Sequence, residues 1–503
     1  MELNIQKDTH RFYSSDKWMP ITKFIPSIFL GIGLGGILFY CLIKQFYFYQ
    51  VIVVAIVCVP VALLLLVYSP RRSLLGLLIL IIPFNPCFHI LRDDQSIAFG
   101  PELNFWTSDL IVIVIFFFLI ISYAFGRKNR QHPHAQIWWS GLPLLIWIAA
   151  GVVSILPAAN KSIAIVEMLR MFRIFLIFAA IYLLVERFED IRFIATCLVI
   201  AFAIQGVLVF AEYGLSHPLF RLPGEVREAD IVGTILRPGG TMGHSANFAK
   251  LAALCLPICF AFMLTLRKNI WRLSFSAILI SGLIALILTV SRAGLATSIF
   301  GLIWILLIMQ KKKSGGKIKI LAPMILLVIG IVLAWHVAGS RLISRSKEDF
   351  GSALSRPEMF SVAWNVIKDH PFVGVGLNNY TLVAPDYDHT RDAISISYPH
   401  PVHNIYLLHA AEIGIIGAVF FIWFLFGTVA MAFKRSLESR SLLDSAITKA
   451  IGIGITCSWL QGLISWGFRA SIVHTSYLAV IAGALATLKH YNQNRNAGYL
   501  NGT

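Results

Sequence analysis

The chain has 503 residues, of which 57% are hydrophobic and only 13% charged, with a mean hydropathy of +0.76 and a formal net charge of +17. A soluble domain carries about a quarter charged residues; this composition excludes one, and apolar runs long enough to cross a hydrocarbon core recur along the chain. The reading is an all-α integral membrane protein whose basic surplus reflects topology and gives no reason to invoke nucleic acid.

From the N-terminus, a polar stretch of mixed charge precedes a long first apolar run, so no cleavable signal peptide is expected. Hydropathy predicts about 14 spans (12–14), near 25–43, 50–68, 73–86, 108–125, 137–156, 168–185, 193–213, 246–266, 273–290, 293–309, 319–337, 405–433, 447–466 and 470–488. The third is short and ends in "PFNPCF", which suggests a re-entrant segment. With both termini cytoplasmic, the inner side receives the first 24 residues, Arg71 and Arg72, "GRKNRQHPH", "ERFEDIR", "RKNIWR", "KKKSGGKIK", 434–449 and the tail. Those segments carry the whole net charge, the asymmetry that the positive-inside rule expects. No internal repeat is visible, which disfavours transporters built from paired halves.

Three sections follow: N-terminal spans over 1–213, a core over 214–433, and C-terminal spans with a cytoplasmic tail over 434–503. The core contains two long outer loops, 214–245 and 338–404, and loops of that length are usually functional or disordered. In the second, Met359, Phe360, Ala363, Trp364, Val366 and Ile367 recur at helical spacing. Ser355 is the expected N-cap, Pro357 falls in the first turn and "DHP" closes the segment. Such a helix would lie along the membrane or cover the spans beneath it.

Several motifs have plain readings. "GIGLGG" at 31–36 lies inside a span with no βαβ context, so small-residue helix packing explains it. "DYD" at 386–388 resembles a nucleotide-sugar DxD but falls in an outer loop, where solvation explains it. Six of the seven cysteines lie in or beside spans, without a CxxC pair or a histidine cluster, and are read as packing residues. No metal site and no cofactor is expected.

Arginines on the outer side are harder to dismiss. Arg237 opens "RPGGTMGH" before a span, Arg292 sits in the tight turn "TVSRAG", and Arg170 and Arg173 fall near the outer start of another span. Charges at membrane depth are costly and mark function by default, and guanidinium forks match phosphate oxygens. Interfacial snorkelling is the alternative. Glycine and proline hold Arg237 and Arg292 in turns, which favours function for those two.

The stretch "PHPVHNIYLLHAAEIGIIG" at 399–417 places His403 and Asn404 in the first turn of a span. The positive end of the helix dipole disfavours protonation of an imidazole there, leaving a proton acceptor near pH 7. Pro399 and Pro401 stiffen the approach. Taken alone, such a histidine equally suits a helix cap or contact with interfacial water.

His403-Asn404, nine residues, Gly414, two more and Gly417 resembles the H-[NSQ]-x9-G-x2-[GTY] signature of the O-antigen ligase/polymerase family. "RPGGTMGHSANFAK", "LTVSRAG" and "SRPEMFSVAWNVIKDHPFVGVGLNNY" are similar to further family stretches in the same order, over about 236–420. The resemblance implies a GT-C-like bacterial inner-membrane protein with its active site facing the periplasm. By that resemblance His403 corresponds to a histidine that activates the acceptor hydroxyl, and Arg237 and Arg292 to arginines that hold a carrier diphosphate. Arg170 and Arg173 are further diphosphate candidates; Asn404, His244, Arg356 and His400 are expected to support the site. The implied partners are a polyprenyl diphosphate-linked glycan donor, a lipid A–core or glycan acceptor, and the bilayer.

The expected reaction is inverting and metal-independent transfer of the glycan to an acceptor hydroxyl, as a ligase. A polymerase of repeat units is the alternative within the family. A flippase would make no new glycosidic bond, and a non-enzymatic scaffold would tolerate any residue at 403. Reporter fusions check the topology: fusions at residues 403 and 127 should report opposite sides of the membrane, 403 outside.

Overall fold

Long runs of Leu, Ile, Val and Phe can satisfy their backbone polar groups in lipid only as helices, and helices dominate the computed structural model. It describes residues 70–84, 87–91, 103–125, 137–216, 231–232, 235–310, 350–439, 441–470 and 472–487. The spans expected at 25–43, 50–68 and 319–337, and "GIGLGG", lie outside these residues. The long described helices are α1 (Pro70–Ile81), α2 (Thr107–Phe125), α3 (Ile137–Val153), α4 (Lys161–Leu184), α5 (Phe188–Leu215) and α6 (Ser245–Thr265). They continue with α7 (Asn269–Leu288), α8 (Arg292–Gln310), α9 (Phe350–Asp369), α10 (Ile405–Glu438), α11 (Leu442–Leu460) and α12 (Ile472–Thr487). Among the described residues, seven helices are long and apolar enough to cross a membrane. The chain is an all-α, multi-pass membrane protein.

Helix α6 is the hub. It packs against α5, α7, α8 and α11, and nearly all of its side chains are buried. Helix α10 lies against α3 and α11, and α12 against α4. Small residues let these backbones approach: a Cβ at Gly454 of α11 would sit 2.3 Å from the Leu254 carbonyl of α6, and one at Gly427 of α10 would sit 2.1 Å from that of Trp139.

Two ends of the bundle differ in chemistry. At one, Arg71 pairs with Glu186 and Asp190, Arg72 reaches Asp190 at 3.2 Å, and Arg192 holds Asp444 at 2.7 Å. Arg435, fully buried near the end of α10, donates to the Leu485 carbonyl at 3.0 Å. These contacts lock the helix ends that the charge asymmetry assigned to the inner side. The other end carries His403, just before the start of α10.

Helix α10 is broken at Gly414, whose φ of 76° and ψ of 168° interrupt the helical hydrogen-bond ladder. The loop after α9 fills the gap. Val375 N–H donates to the Ala411 carbonyl (3.0 Å), Gly376 N–H to that of Glu412 (2.9 Å), and Ile415 N–H to that of Pro371 (2.8 Å). A Cβ at Gly414 would lie 2.1 Å from the Phe372 carbonyl oxygen, and one at Gly374 2.3 Å from the Glu412 carbonyl carbon. Glycine at both is a steric requirement.

The second long loop is an ordered cap. Helix α9 buries Met359, Val362, Ala363, Val366 and Ile367 against α10, as the stripe predicted, but Trp364 is 52% exposed. It starts at Phe350, so Ser355 is not its N-cap and Pro357 lies inside the helix. Proline costs a helix one hydrogen bond, and the burial of the following turns outweighs that loss. "DHP" does end the helix, because proline disfavours helical backbone at the residue before it. Two short antiparallel hairpins were not foreseen: Cys87–Leu91 (β1) with Leu103–Trp106 (β2), and Ile231–Val232 (β3) with Ile235–Leu236 (β4). The third apolar run is helical over 12 residues only and continues into β1.

Replacing Gly414 by alanine should therefore break the stitch. The expected loss is at least about 2 kcal/mol from the left-handed backbone and the clash together, read as a lower melting temperature of the purified protein in detergent.

Candidate active site at the start of helix α10

The site begins with a cap. Asn404 is the N-cap of α10, its side-chain oxygen accepting from the N–H groups of Tyr406 (2.9 Å) and Leu407 (3.1 Å). That bond fixes the register of the preceding residue. His403 is partly buried beside Tyr398, with ring centroids 5.9 Å apart, and the ring centroids of His400 and Tyr398 are 4.1 Å apart. Nδ1 of His403 is buried without a hydrogen-bond partner among the described residues. Burial, then the positive charge of Arg356 and then His400, pull its pKa down to about 4, against a smaller upward pull from the Pro401 backbone. The helix dipole argued from sequence acts in the same direction, but burial is the larger cause. Protonation of His403 is therefore disfavoured at pH 7.

The arginine pair forms a second group. Arg237 is buried, with its Nε 3.4 Å from the Thr289 carbonyl at the end of α7. Thr289 opens the turn that delivers Arg292 to the start of α8, and Arg292 is exposed. Within that turn Val290 has a φ of +54°, a costly conformation for a β-branched residue and one typical of functional sites. The "RPGG" segment is held by a carboxylate: Glu212 of α5 accepts from Gly239 N–H (3.0 Å) and Gly240 N–H (2.9 Å). Gln205 adds two bonds to Thr241. His244 serves as N-cap of α6, its Nδ1 accepting from Ala246 N–H at 3.0 Å.

These two groups share one end of the bundle. Thr297, just beyond Arg292 on α8, accepts from Gln461 Nε2 at 2.9 Å. The neighbouring Gly462 packs on Ile405, directly after Asn404, and Tyr406 donates its hydroxyl to the Trp459 carbonyl at 2.8 Å. A short segment after α11 thus touches both the start of α10 and the helix that begins at Arg292. Arg170 and Arg173 are placed differently. Arg170 pairs with Glu167 at 3.0 Å, and both line a crevice with Ile405, His409 and Glu412 of α10. Arg173 is buried against Asp109, Ser108 and the face of Trp106. Their charges meet carboxylates of the protein.

Sequence reasoning missed several polar groups here. Glu212, Glu167 and Glu412 are all buried, as is Lys250 of α6, whose ammonium lies 4.4 Å from the centroid of the Phe468 ring. The available signal was an isolated ionisable residue inside an otherwise apolar run. Of the sequence decoys, Asp386 is exposed and Asp388 organises a turn of the cap.

The turn at Arg292, the helix α9 cap, His403-Asn404 and the glycine break all lie in one continuous stretch, and a family match falls on it. Residues 275–422 match the family model for O-antigen ligase. The segment covers Arg292, Arg356, His400 and His403; Arg170, Arg173, Arg237 and His244 fall outside it. Comparison with curated proteins gave no match. The O-antigen ligase family implies glycan transfer in surface polysaccharide biosynthesis, with glycan and lipid-linked substrates in a membrane.

The depressed histidine has two pH consequences. Its neutral form is favoured in the fold, so the stability it contributes is complete above the ordinary value of 6.5 and is lost as pH falls toward about 4. If His403 accepts the proton, kcat/KM should keep its plateau well below 6.5 and bend down only as pH nears 4. Arg356→Gln should move that limb upward, because a charge opposing protonation is gone.

Proposed function

We propose that this protein transfers a glycan from a polyprenyl diphosphate carrier to an acceptor hydroxyl at the periplasmic face of the bacterial inner membrane, with inversion and without a metal, as an O-antigen ligase. The observation that carries this reading is a largely buried imidazole whose protonation is disfavoured, together with one arginine in a segment braced by Glu212 and another beside the turn strained at Val290. Outside the cytoplasm no nucleotide sugar is at hand, so the leaving group arrives already activated, and a lipid-linked diphosphate is such a group.

As the anomeric C–O bond breaks, negative charge grows on the departing diphosphate. Arg237 and Arg292, held before the substrate arrives, stabilise that charge without reorganising. His403 takes the proton of the acceptor hydroxyl as its oxygen attacks from the opposite face of the sugar. Arg356 and His400 keep the imidazole unprotonated; Asn404 fixes its position through the helix cap. Arg170 and Arg173 support the site more remotely, through their pairs with Glu167 and Asp109. The α9 cap, stitched to the break in α10, covers the reacting groups and excludes water that would hydrolyse the donor. The ligase reading is favoured over the polymerase by the His-Asn pattern.

In a reconstituted assay with a polyprenyl diphosphate glycan and lipid A–core, His403→Ala should lower transfer by about a thousandfold or more while donor binding is kept. Arg237→Lys and Arg292→Lys should each lower it roughly 10- to 100-fold, because the bidentate fork is lost though the charge remains. Wild-type rates in both lysine variants would remove the diphosphate role.

A further inference from the structure

The two halves of α10 differ in what surrounds them. No residue from Ile405 to Gly414 is exposed, and this half contains His409 and the buried Glu412. From the residue after the break onward, large apolar side chains are exposed at Ile415, Ile416, Val419, Trp423 and Phe426. They recur every three or four residues, so they share one face of the helix. A bare apolar stripe on a membrane helix is a face that lipid covers. Ile415 and the buried Arg435 are 20 residues apart, about 30 Å along the helix, which is the thickness of a hydrocarbon core.

Two extramembrane turns meet α10 at the top of that stripe. The Pro371 carbonyl accepts from Ile415 N–H at 2.8 Å, and the next residue, Phe372, is 73% exposed. The turn after α3 touches the same loop: a Cβ at Gly376 would lie 2.5 Å from that of Ala158, and Leu156 of this turn is 75% exposed. In water both side chains would hold apolar surface against solvent; among acyl chains they would not. Lys368 and Asp369, exposed one turn before Phe372, then fall among headgroups. Helix α9 stands beside the first half of α10, because Met359 and Val362 line one recess with Tyr398 and His400, whereas the chain after α9 is bonded at the break. Trp364, which is 52% exposed, lies about two turns back from Phe372 and so farther from the stripe.

We propose that Phe372 and Leu156 form an apolar foot sunk among the acyl chains of the outer leaflet, that the hydrocarbon boundary crosses α10 at Gly414, and that the half-helix 405–413 stands outside the hydrocarbon with His403 before it. Lipid is the occupant because the patch is continuous with the face of α10 that the bilayer covers. Through the hydrogen bonds at the break, the depth of the foot sets the height of the cap and of His403 above the membrane. The span in α10 is then shorter at its outer end than hydropathy alone expects. None of this depends on the glycan-transfer reading.

The test uses the full chain in nanodiscs of phosphatidylethanolamine and phosphatidylglycerol. Benzoylphenylalanine, a photoreactive residue, replaces Phe372, Leu156, Val419 or Trp364 in separate variants, all at exposed positions where the fold is little disturbed. After irradiation, intact-mass spectrometry should find lipid adducts at 372 and 156 within about threefold of those at the lipid-facing 419, and roughly tenfold above those at 364. A fluorescent residue, Phe372→acridonylalanine or Trp364→acridonylalanine, gives a second readout: lipids brominated in the acyl chains should quench it at 372 and spare it at 364, and aqueous iodide should do the reverse. Adduct yields at 372 no higher than at 364, equal quenching of the two positions by iodide, or crosslinks from 372 chiefly to a second copy of the chain would each overturn the foot. Lipid adducts as frequent at 364 as at 372 would lay the cap flat on the bilayer and overturn the boundary at Gly414.

Discussion

The break in α10 at Gly414 governs this architecture. A membrane helix cannot leave carbonyl groups unpaired in a low-dielectric interior. Once the ladder stops, the freed carbonyls of Ala411 and Glu412 need donors, and the loop after α9 supplies them from Val375 and Gly376. Extramembrane chain and membrane helix become one hydrogen-bonded unit. The spacing of nine residues between His403-Asn404 and Gly414 thereby gains a physical meaning. It is the length of the half-helix that carries the histidine at one end and the docking point for the cap at the other.

Charge is sorted by the same structure. Arg71, Arg72, Arg192 and Arg435 meet carboxylates or a helix-terminal carbonyl at the end remote from His403 and hold the bundle together. Arg170 and Arg173 likewise face Glu167 and Asp109. Arg237 and Arg292 flank a turn strained at Val290, and the nearby glycine amides of "RPGG" are satisfied by Glu212. Glu212 thereby braces the backbone of the segment that carries Arg237.

Much of this was legible in the sequence because membrane folding is governed by few rules. Helix positions followed from hydropathy, and the cap helix from its apolar stripe, apart from a start placed too late at Ser355 and an exposed Trp364. His403, Arg292 and the glycines stood out because each breaks the apolar background. Glu212, Glu167, Glu412 and Lys250 break it too, but their partners lie on other helices, and a lone charge in a span does not announce which helix will face it.

The sequence by itself determined the solvent of this protein, the identity of its unusual polar residues and the order in which they arrive. Those follow from hydrophobicity, charge and local spacing, which act between near neighbours in the chain. Only the tertiary structure decided which carboxylates Arg170 and Arg173 meet and how low the His403 pKa falls. Each of these depends on burial and on groups brought together from distant segments, and a low-dielectric interior makes those contacts decisive.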